Sequence, residues 1–370
     1  MARTQPNTAT PTTTIASLKR EASTDPTSAA SGSPSKRPRS HTRTPHVAVA
    51  HMLLPPCNSG DHDIWYPDGN VVIYCHSDGH AKWFKLYRTR LAQYCRYFED
   101  LFSSPSANTA PLVDDCPVYV VPADVSCEGL AALIAMLERP CEFWGKPLTQ
   151  DLAILLLKTA YALSCPVVFD LAKRRLSELW NGDDLPGDSP AETERAVSWE
   201  EAVSIINLAR KYDVPEVVKR AFYEVLVSKD FWRAHNADSR KIDLPDDDIY
   251  RLREMRLYLN SQWPKFVIET PQTDEKGETK CTPTGYHLPF ACEMQRCERK
   301  DNWLKFALDN EELETGALDP LRYNLVRRRE TTLKKMWCQW CLQDKEETWN
   351  DLRAQWWKVI GESLGGLQPI

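Results

Sequence analysis

Val71-Val72-Ile73-Tyr74-Cys75, then Ser77-Asp78-Gly79, then Ala81-Lys82-Trp83-Phe84-Lys85-Leu86 is the stretch on which the fold turns. The first run is β-branched and aromatic, which suits a buried, pleated strand. Asp-Gly supplies the positive backbone angles of a tight turn, so the return run predicts a β-hairpin. Upstream, Asp63-Ile64-Trp65-Tyr66-Pro67-Asp68-Gly69-Asn70 bounds the first strand with turn residues. Downstream, Leu91, Tyr94, Cys95, Phe98, Leu101 and Phe102 recur at three and four residues, which predicts short helices. Val118-Tyr119-Val120-Val121 reads as a further strand after a break at Pro117. Leu130, Leu133, Ile134 and Leu137 open a helical series that continues through Leu152 to Leu163 and Val168 to Leu179. Strands first and helices afterwards predict an α+β unit.

The run Phe84-Lys85-Leu86-Tyr87-Arg88, with Leu91-Ala92, Cys95, Phe98 and Leu101-Phe102 after it, resembles the central signature of BTB/POZ domains. Asp63-Ile64-Trp65 with Asp68-Gly69, and Cys116-Pro117-Val118, resemble the variant abundant in mushroom-forming fungi. The resemblance implies a small β-sheet with a helical cluster over residues 61–182, followed by all-α regions, in a protein that assembles instead of catalysing. It implies core and dimer-side roles for Leu91, Tyr94, Phe98 and Phe102, and places Asp63 and Arg88 at charged positions near a dimer interface. The expected partner is a second copy or another BTB protein, and the expected setting a nuclear scaffold for transcriptional regulators. A substrate adaptor of a cullin-RING ubiquitin ligase is the alternative. Ser126 before Cys127-Glu128 departs from the hydrophobic residue that cullin-binding members carry there. Tyr87 and Cys95 replace the family's usual His and Ser, which makes a heterodimer a serious competitor to a homodimer.

Outside this region the chain changes character. Residues 1–60 are rich in Thr, Ser, Pro and Ala and predict a disordered tail. Up to residue 46 the tail carries seven basic and two acidic residues, +5 against −6 for the whole chain, which leaves −11 for the remainder. Lys36-Arg37-Pro38-Arg39 is a compact basic cluster that reads as a nuclear localisation segment, and Ser33-Pro34 beside it suits a proline-directed kinase. The apolar run Val47 to Leu54, including Met52-Leu53-Leu54, stands where some BTB domains have a segment exchanged between partners. Ala153, Ile154, Leu157, Ala160, Leu163, Pro166, Val168 and Ala172 match Ala202, Val203, Ile206, Ala209, Tyr212, Pro215, Val217 and Ala221 at a constant offset of 49. A helical pair therefore occurs twice. Polar connectors at 182–195 and 270–285 then delimit a helical region at 195–270 and a Trp- and Cys-rich helical region at 286–370.

Chemistry is sparse. The sequence holds no P-loop, dinucleotide-binding turn, nucleophile elbow or paired helical His, and His235 and His287 are the only histidines after residue 80. An enzyme is not expected. Cys75, His76 and His80 flank the hairpin turn, but neighbours on a strand point to opposite faces and do not share an ion easily. Cys338-Gln339-Trp340-Cys341 with Cys292 and Cys297 could assemble zinc ligands, with Cys281 and His287 nearby. The simpler account places Cys338 and Cys341 on the apolar face of an amphipathic helix, with no cofactor. Arg327-Arg328-Arg329 and Lys334-Lys335 read as one basic helix paired to Asp309, Glu311, Glu312 and Glu314, so direct nucleic-acid contact is not expected. No run of eighteen apolar residues or export signal is present, and twelve scattered Cys suit a reducing compartment, so an intracellular, non-membrane protein is expected.

Nuclear accumulation should depend on the basic cluster. Replacing Lys36, Arg37 and Arg39 by Ala is expected to lower the nuclear-to-cytoplasmic ratio of a fluorescent fusion, and an unchanged ratio would leave the tail as a solvated extension.

Overall fold

A strand run that is apolar at every position, as at Val71 to Cys75, needs cover on both faces, and the computed structural model places all five of those side chains out of solvent. The structure describes residues 64–77, 79–105, 109–143, 145–187, 197–237, 242–271 and 296–364. The tail, Asp63, the Val47 to Leu54 run, Lys36, Arg37, Arg39 and Cys292 lie outside these residues, as does the side chain of Cys297. All described residues fall in one compact unit, Val49–Ile370.

The sheet comprises β1 (Ile64–Trp65), β2 (Val71–Ser77), β3 (His80–Leu86), β4 (Leu112–Val113) and β5 (Cys116–Val120), in the order β1-β3-β2-β5-β4. The hairpin pairs Ser77 with His80 across its turn, where Gly79 takes a φ of +79° that an L side chain rarely adopts. β5 runs parallel to β2 from Val72 paired with Val118, and it begins at Cys116, two residues before the Val118 to Val121 run that the sequence predicts. Pro117 is tolerated because it precedes the ladder with β2. One sheet face joins the main core through Val71, Ile73, Cys75, Phe84 and Leu86, and Val72, Tyr74, Trp83, Cys116 and Val118 form a smaller cluster on the other.

Between β3 and β4 lie α1 (Arg88–Tyr94) and α2 (Arg96–Ser103), and after β5 come α3 (Cys127–Glu138), α4 (Gln150–Ala162) and α5 (Pro166–Leu179). Ser126 and Thr149 cap α3 and α4 by accepting from the Gly129 and Leu152 N–H groups. α6 (Trp199–Tyr212) leads through a short 3-10 turn at Pro215–Val217 into α7 (Val218–Val227), then α8 (Lys229–Asn236) and the long α9 (Asp246–Ile268).

The repeat at offset 49 has a backbone counterpart. α4 ends with Ser164 at a φ of 51° and α6 with Asp213 at 55°, both left-handed. In each case an N–H reaches back five residues, Cys165 to the Ala160 carbonyl at 2.8 Å and Val214 to the Ala209 carbonyl at 2.9 Å. This is the Schellman stop, and the Pro that follows each one opens the next helix with φ already set. Core packing continues across the connector. Gln150 accepts from Trp180 Nε1 at 2.6 Å and donates to Glu201 at 2.5 Å, bridging the first helical pair to the second.

The C-terminal region comprises α10 (Arg296–Asp309), α11 (Glu312–Thr315), α12 (Leu325–Arg328), α13 (Glu330–Met336) and α14 (Gln339–Leu364). Trp303, Trp337, Trp349, Trp356 and Trp357 pack inward as aromatic anchors, whereas Trp340 is 57% exposed. The chain breaks between α13 and α14 at Trp337 and Cys338, which turns Trp340 outward. Gly316 is required where it stands, since a Cβ there would meet a Trp263 ring carbon at 1.9 Å.

The carbonyl end of α9 is closed by side chains. Lys345 Nζ donates to the Phe266 and Glu269 carbonyls, Trp303 Nε1 to Val267 at 2.6 Å, and Arg299 Nη2 to Pro271 at 3.3 Å. Burial, partly offset by Glu269 and Asp344, pushes the Lys345 ammonium down to about 7 from 10.5. A neutral amine still has two N–H groups for its two carbonyls. Between those two values the unfolded chain binds the extra proton, so this residue's contribution to stability rises with pH through that window and is lost as pH falls through about 7. Denaturant midpoints at about pH 6 and about pH 9 are therefore expected to rise more for the native chain than for Lys345→Met, and parallel midpoints would refute the assignment.

Candidate interaction surface

Helices α1 and α2 turn their apolar residues inward. Leu91, Phe98 and Phe102 are buried in the core, with Phe98 and Phe102 stacked at 5.7 Å and Phe102 against Tyr119 at 5.0 Å. Their side chains belong to the chain's own core. Tyr94 is half-buried and faces outward in part. The exposed positions of α1 are polar, being Arg88, Thr89 and Gln93.

Arg88 is committed to its own fold. Its guanidinium donates to the Phe102 carbonyl and lies 5.1 Å from that ring, closing the carbonyl end of α2. Its backbone N–H donates to Asn70 Oδ1 at 2.8 Å. Tyr87 donates to Asp68 at 2.5 Å and stacks on Tyr66 at 5.1 Å, and the Asp68 carboxylate raises its phenol above the usual value. Cys95 is buried at the kink between α1 and α2, and hydrogen bonding with Cys165 together with burial holds its thiol up.

Beside that kink lies an apolar patch that sequence reading missed. The Arg96 N–H donates to the Ser164 carbonyl at 3.1 Å and Tyr97 N–H to Leu163 at 3.3 Å, which fastens the α1–α2 junction to the turn between α4 and α5. At that turn Tyr161 is 45% and Val167 62% exposed, with Leu171 one helical turn beyond Val167. Tyr161 rests against Phe169 at 6.1 Å and Tyr212 at 5.0 Å, so the patch borders the second helical pair. The signal was present: Val167 and Leu171 are apolar at a spacing of four, off the face that carries Val168, Ala172 and Leu176.

The other candidates resolve into structure. Cys75 is buried and His76 exposed, on opposite faces of β2 as alternation requires. Burial pushes the Cys75 thiol well up. Among the described residues no group of three or more His, Cys, Asp or Glu is placed to hold a metal. Cys338 sits in the break before α14 while Cys341 is buried inside it and accepts from Arg299 Nη2 at 3.6 Å, so the two do not share one helical face as their spacing implied. The basic stretch is also divided, with Arg327 and Arg328 ending α12 and Lys334 and Lys335 ending α13. Arg327 pairs with Glu346 at 2.7 Å, Arg329 with buried Glu312 at 2.6 Å, Lys334 with Glu330, and Arg328 lies 4.8 Å from the Tyr323 ring. No helix of the described residues is long and apolar enough to cross a membrane.

The contrast between core and patch is measurable. Phe98→Ala should cost about 3–5 kcal/mol of unfolding free energy, whereas Val167→Glu should stay within about 0.5 kcal/mol. A large loss at Val167 in denaturant titration would mean that the patch is packed in solution. A comparison with models of known protein families returns no match, and no curated protein matches the chain in sequence.

Proposed function

We propose that this chain is a protein-protein interaction module of the BTB/POZ kind, a scaffold that pairs with itself or with a related partner in nuclear regulation. The observation that carries the reading is the order of elements around the signature residues. A hairpin, two short helices, a strand parallel to the first hairpin strand, and then α3 and the α4–α5 pair follow one another, which supports the expected small sheet with a helical cluster. Leu91, Cys95, Phe98 and Phe102 lie at the packed centre of that arrangement. Removing apolar area from water is the driving force of such pairing, and Tyr161, Val167 and Leu171 offer exposed apolar area around the turn between α4 and α5.

The scaffold reading is preferred to a cullin adaptor on the evidence of one position. The Ser126 hydroxyl accepts from the Gly129 N–H at 3.0 Å as a helix cap, where an adaptor is expected to offer a hydrophobic side chain.

Light scattering of the full chain at micromolar concentration tests the proposal. Self-association predicts twice the 42.4 kDa chain mass, and Val167→Glu or Tyr94→Glu should return it to 42.4 kDa with unchanged circular dichroism, because a charge on a twofold face is buried twice. A native chain that stays monomeric removes the homodimer and leaves a hetero-partner to be sought.

A further inference from the structure

A cleft of about 270 Å³ opens between the end of α7, the start of α8, the middle of α9 and the α11 segment. Its walls are apolar, formed by Leu226, Val227, Leu259, Leu313, Leu318 and Pro320. Ligand clefts commonly enclose roughly 300 to 1,000 Å³, and this one lies just below that range, which limits it to a small body of several heavy atoms.

The polar groups in it have one feature in common. Arg256 is half-buried, with its guanidinium 4.7 Å from the Trp232 ring, and no carboxylate among the described residues pairs with it. Lys229 and Asn260 stand at the exposed rim, and their side chains likewise have no partner among the described residues. Trp232 is held in place by its own Nε1 bond to the Leu226 carbonyl at 2.8 Å, so the face under the guanidinium is rigid. Burial lowers the Arg256 guanidinium from its usual value, as expected for a cation without a counter-charge. Other cations of the helical region are engaged: Arg210 with Asp248, Arg220 and Arg322 with Glu224, and Arg329 with Glu312.

We infer that this cleft binds a single carboxylate carried on a short aliphatic body, with Arg256 as the anchoring residue and Lys229 and Asn260 at the rim. A planar guanidinium presents a forked set of donors that matches a carboxylate bidentately, and the stacked Trp232 fixes its plane in advance. Lys229, Arg256 and Glu314 among the lining residues sum to +1, which suits a monoanion and disfavours a compact dianion such as phosphate. The apolar walls supply the affinity and the guanidinium the orientation. This site is separate from the Tyr161 and Val167 surface, and its occupation does not require the chain to pair. Such a carboxylate is available from two sources, the C-terminus of a chain ending in an aliphatic residue and a free aliphatic acid.

Calorimetric and saturation-transfer titrations of the full chain distinguish them with three probes: acetyl-Ala-Ala-Leu with a free C-terminus, the same peptide as its amide, and octanoate. Saturable binding of the free-acid peptide alone assigns a chain end, and binding of octanoate alone assigns a free acid. The peptide amide should bind at least about tenfold more weakly than the acid, and Arg256→Leu should weaken the acid by about tenfold or more, a factor worth about 1.4 kcal/mol. Lys229→Ala, at the exposed rim, should weaken it less and provides the check if Arg256→Leu disturbs folding. Equal binding of acid and amide, binding unaffected by both substitutions, or no saturable binding of either acid up to about 10 mM, an affinity weaker than about −2.7 kcal/mol, would each overturn the inference.

Discussion

The last carbonyl groups of a helix have no partner within it, and how α9 meets that demand determines how the second half of this protein is assembled. Its end is closed by Lys345 from α14, and by Trp303 and Arg299 from α10. A cationic donor such as Arg299 suits the negative end of the helix dipole. Aromatic faces complete their surroundings, with Lys345 4.0 Å from the Phe266 ring and Arg299 5.0 Å from Trp337. The same logic joins α9 to α11, since Trp263 donates to the Glu312 carbonyl at 2.9 Å while the Glu312 carboxylate accepts from Tyr323 and Arg329. The C-terminal helices are thus held by satisfied polar groups as well as by apolar area. The arrangement leaves Nε and Nη1 of Arg299 without hydrogen-bond partners among the described residues, as it does Nε1 of Trp337 and of Trp357, a local cost of this packing.

The first half rests on a different constraint. Two helical pairs must reverse direction in a few residues, and both do so through a left-handed residue followed by Pro. Using Ser164 and Asp213 where Gly is usual carries a backbone cost, tolerated because the surrounding core over-determines the turn. The turn also has a functional consequence. By stopping α4 abruptly it lifts Tyr161 and Val167 to the surface next to the α1–α2 kink, where the apolar patch forms.

Much of this was legible in local pattern. The hairpin, the two short helices, the strand near Val118, the α3 to α5 series and the repeat at offset 49 depend on residue type and spacing within a few turns, and those cues act before any long-range contact exists. The Asp-Gly turn and the paired Pro residues mark reversals by their own backbone limits. The shared apolar face of Leu91, Phe98 and Phe102 followed from the same periodicity.

Tertiary structure decided the rest. Periodicity shows which helix face is apolar but not whether the core or a partner covers it, so the inward turn of α1 and the exposed Val167 patch had to be seen in the fold. The break at Trp337 and Cys338 divides what spacing presented as one helix, because Trp337 is drawn against Trp303 at 5.6 Å. Lys345 reaches a carbonyl 79 residues away, and Arg256 stacks on a Trp in another helix. Local sequence determined which segments became strands and helices; only their packing determined which charges were buried, which were paired, and which were left facing a cleft, because those outcomes depend on neighbours that are distant in the chain.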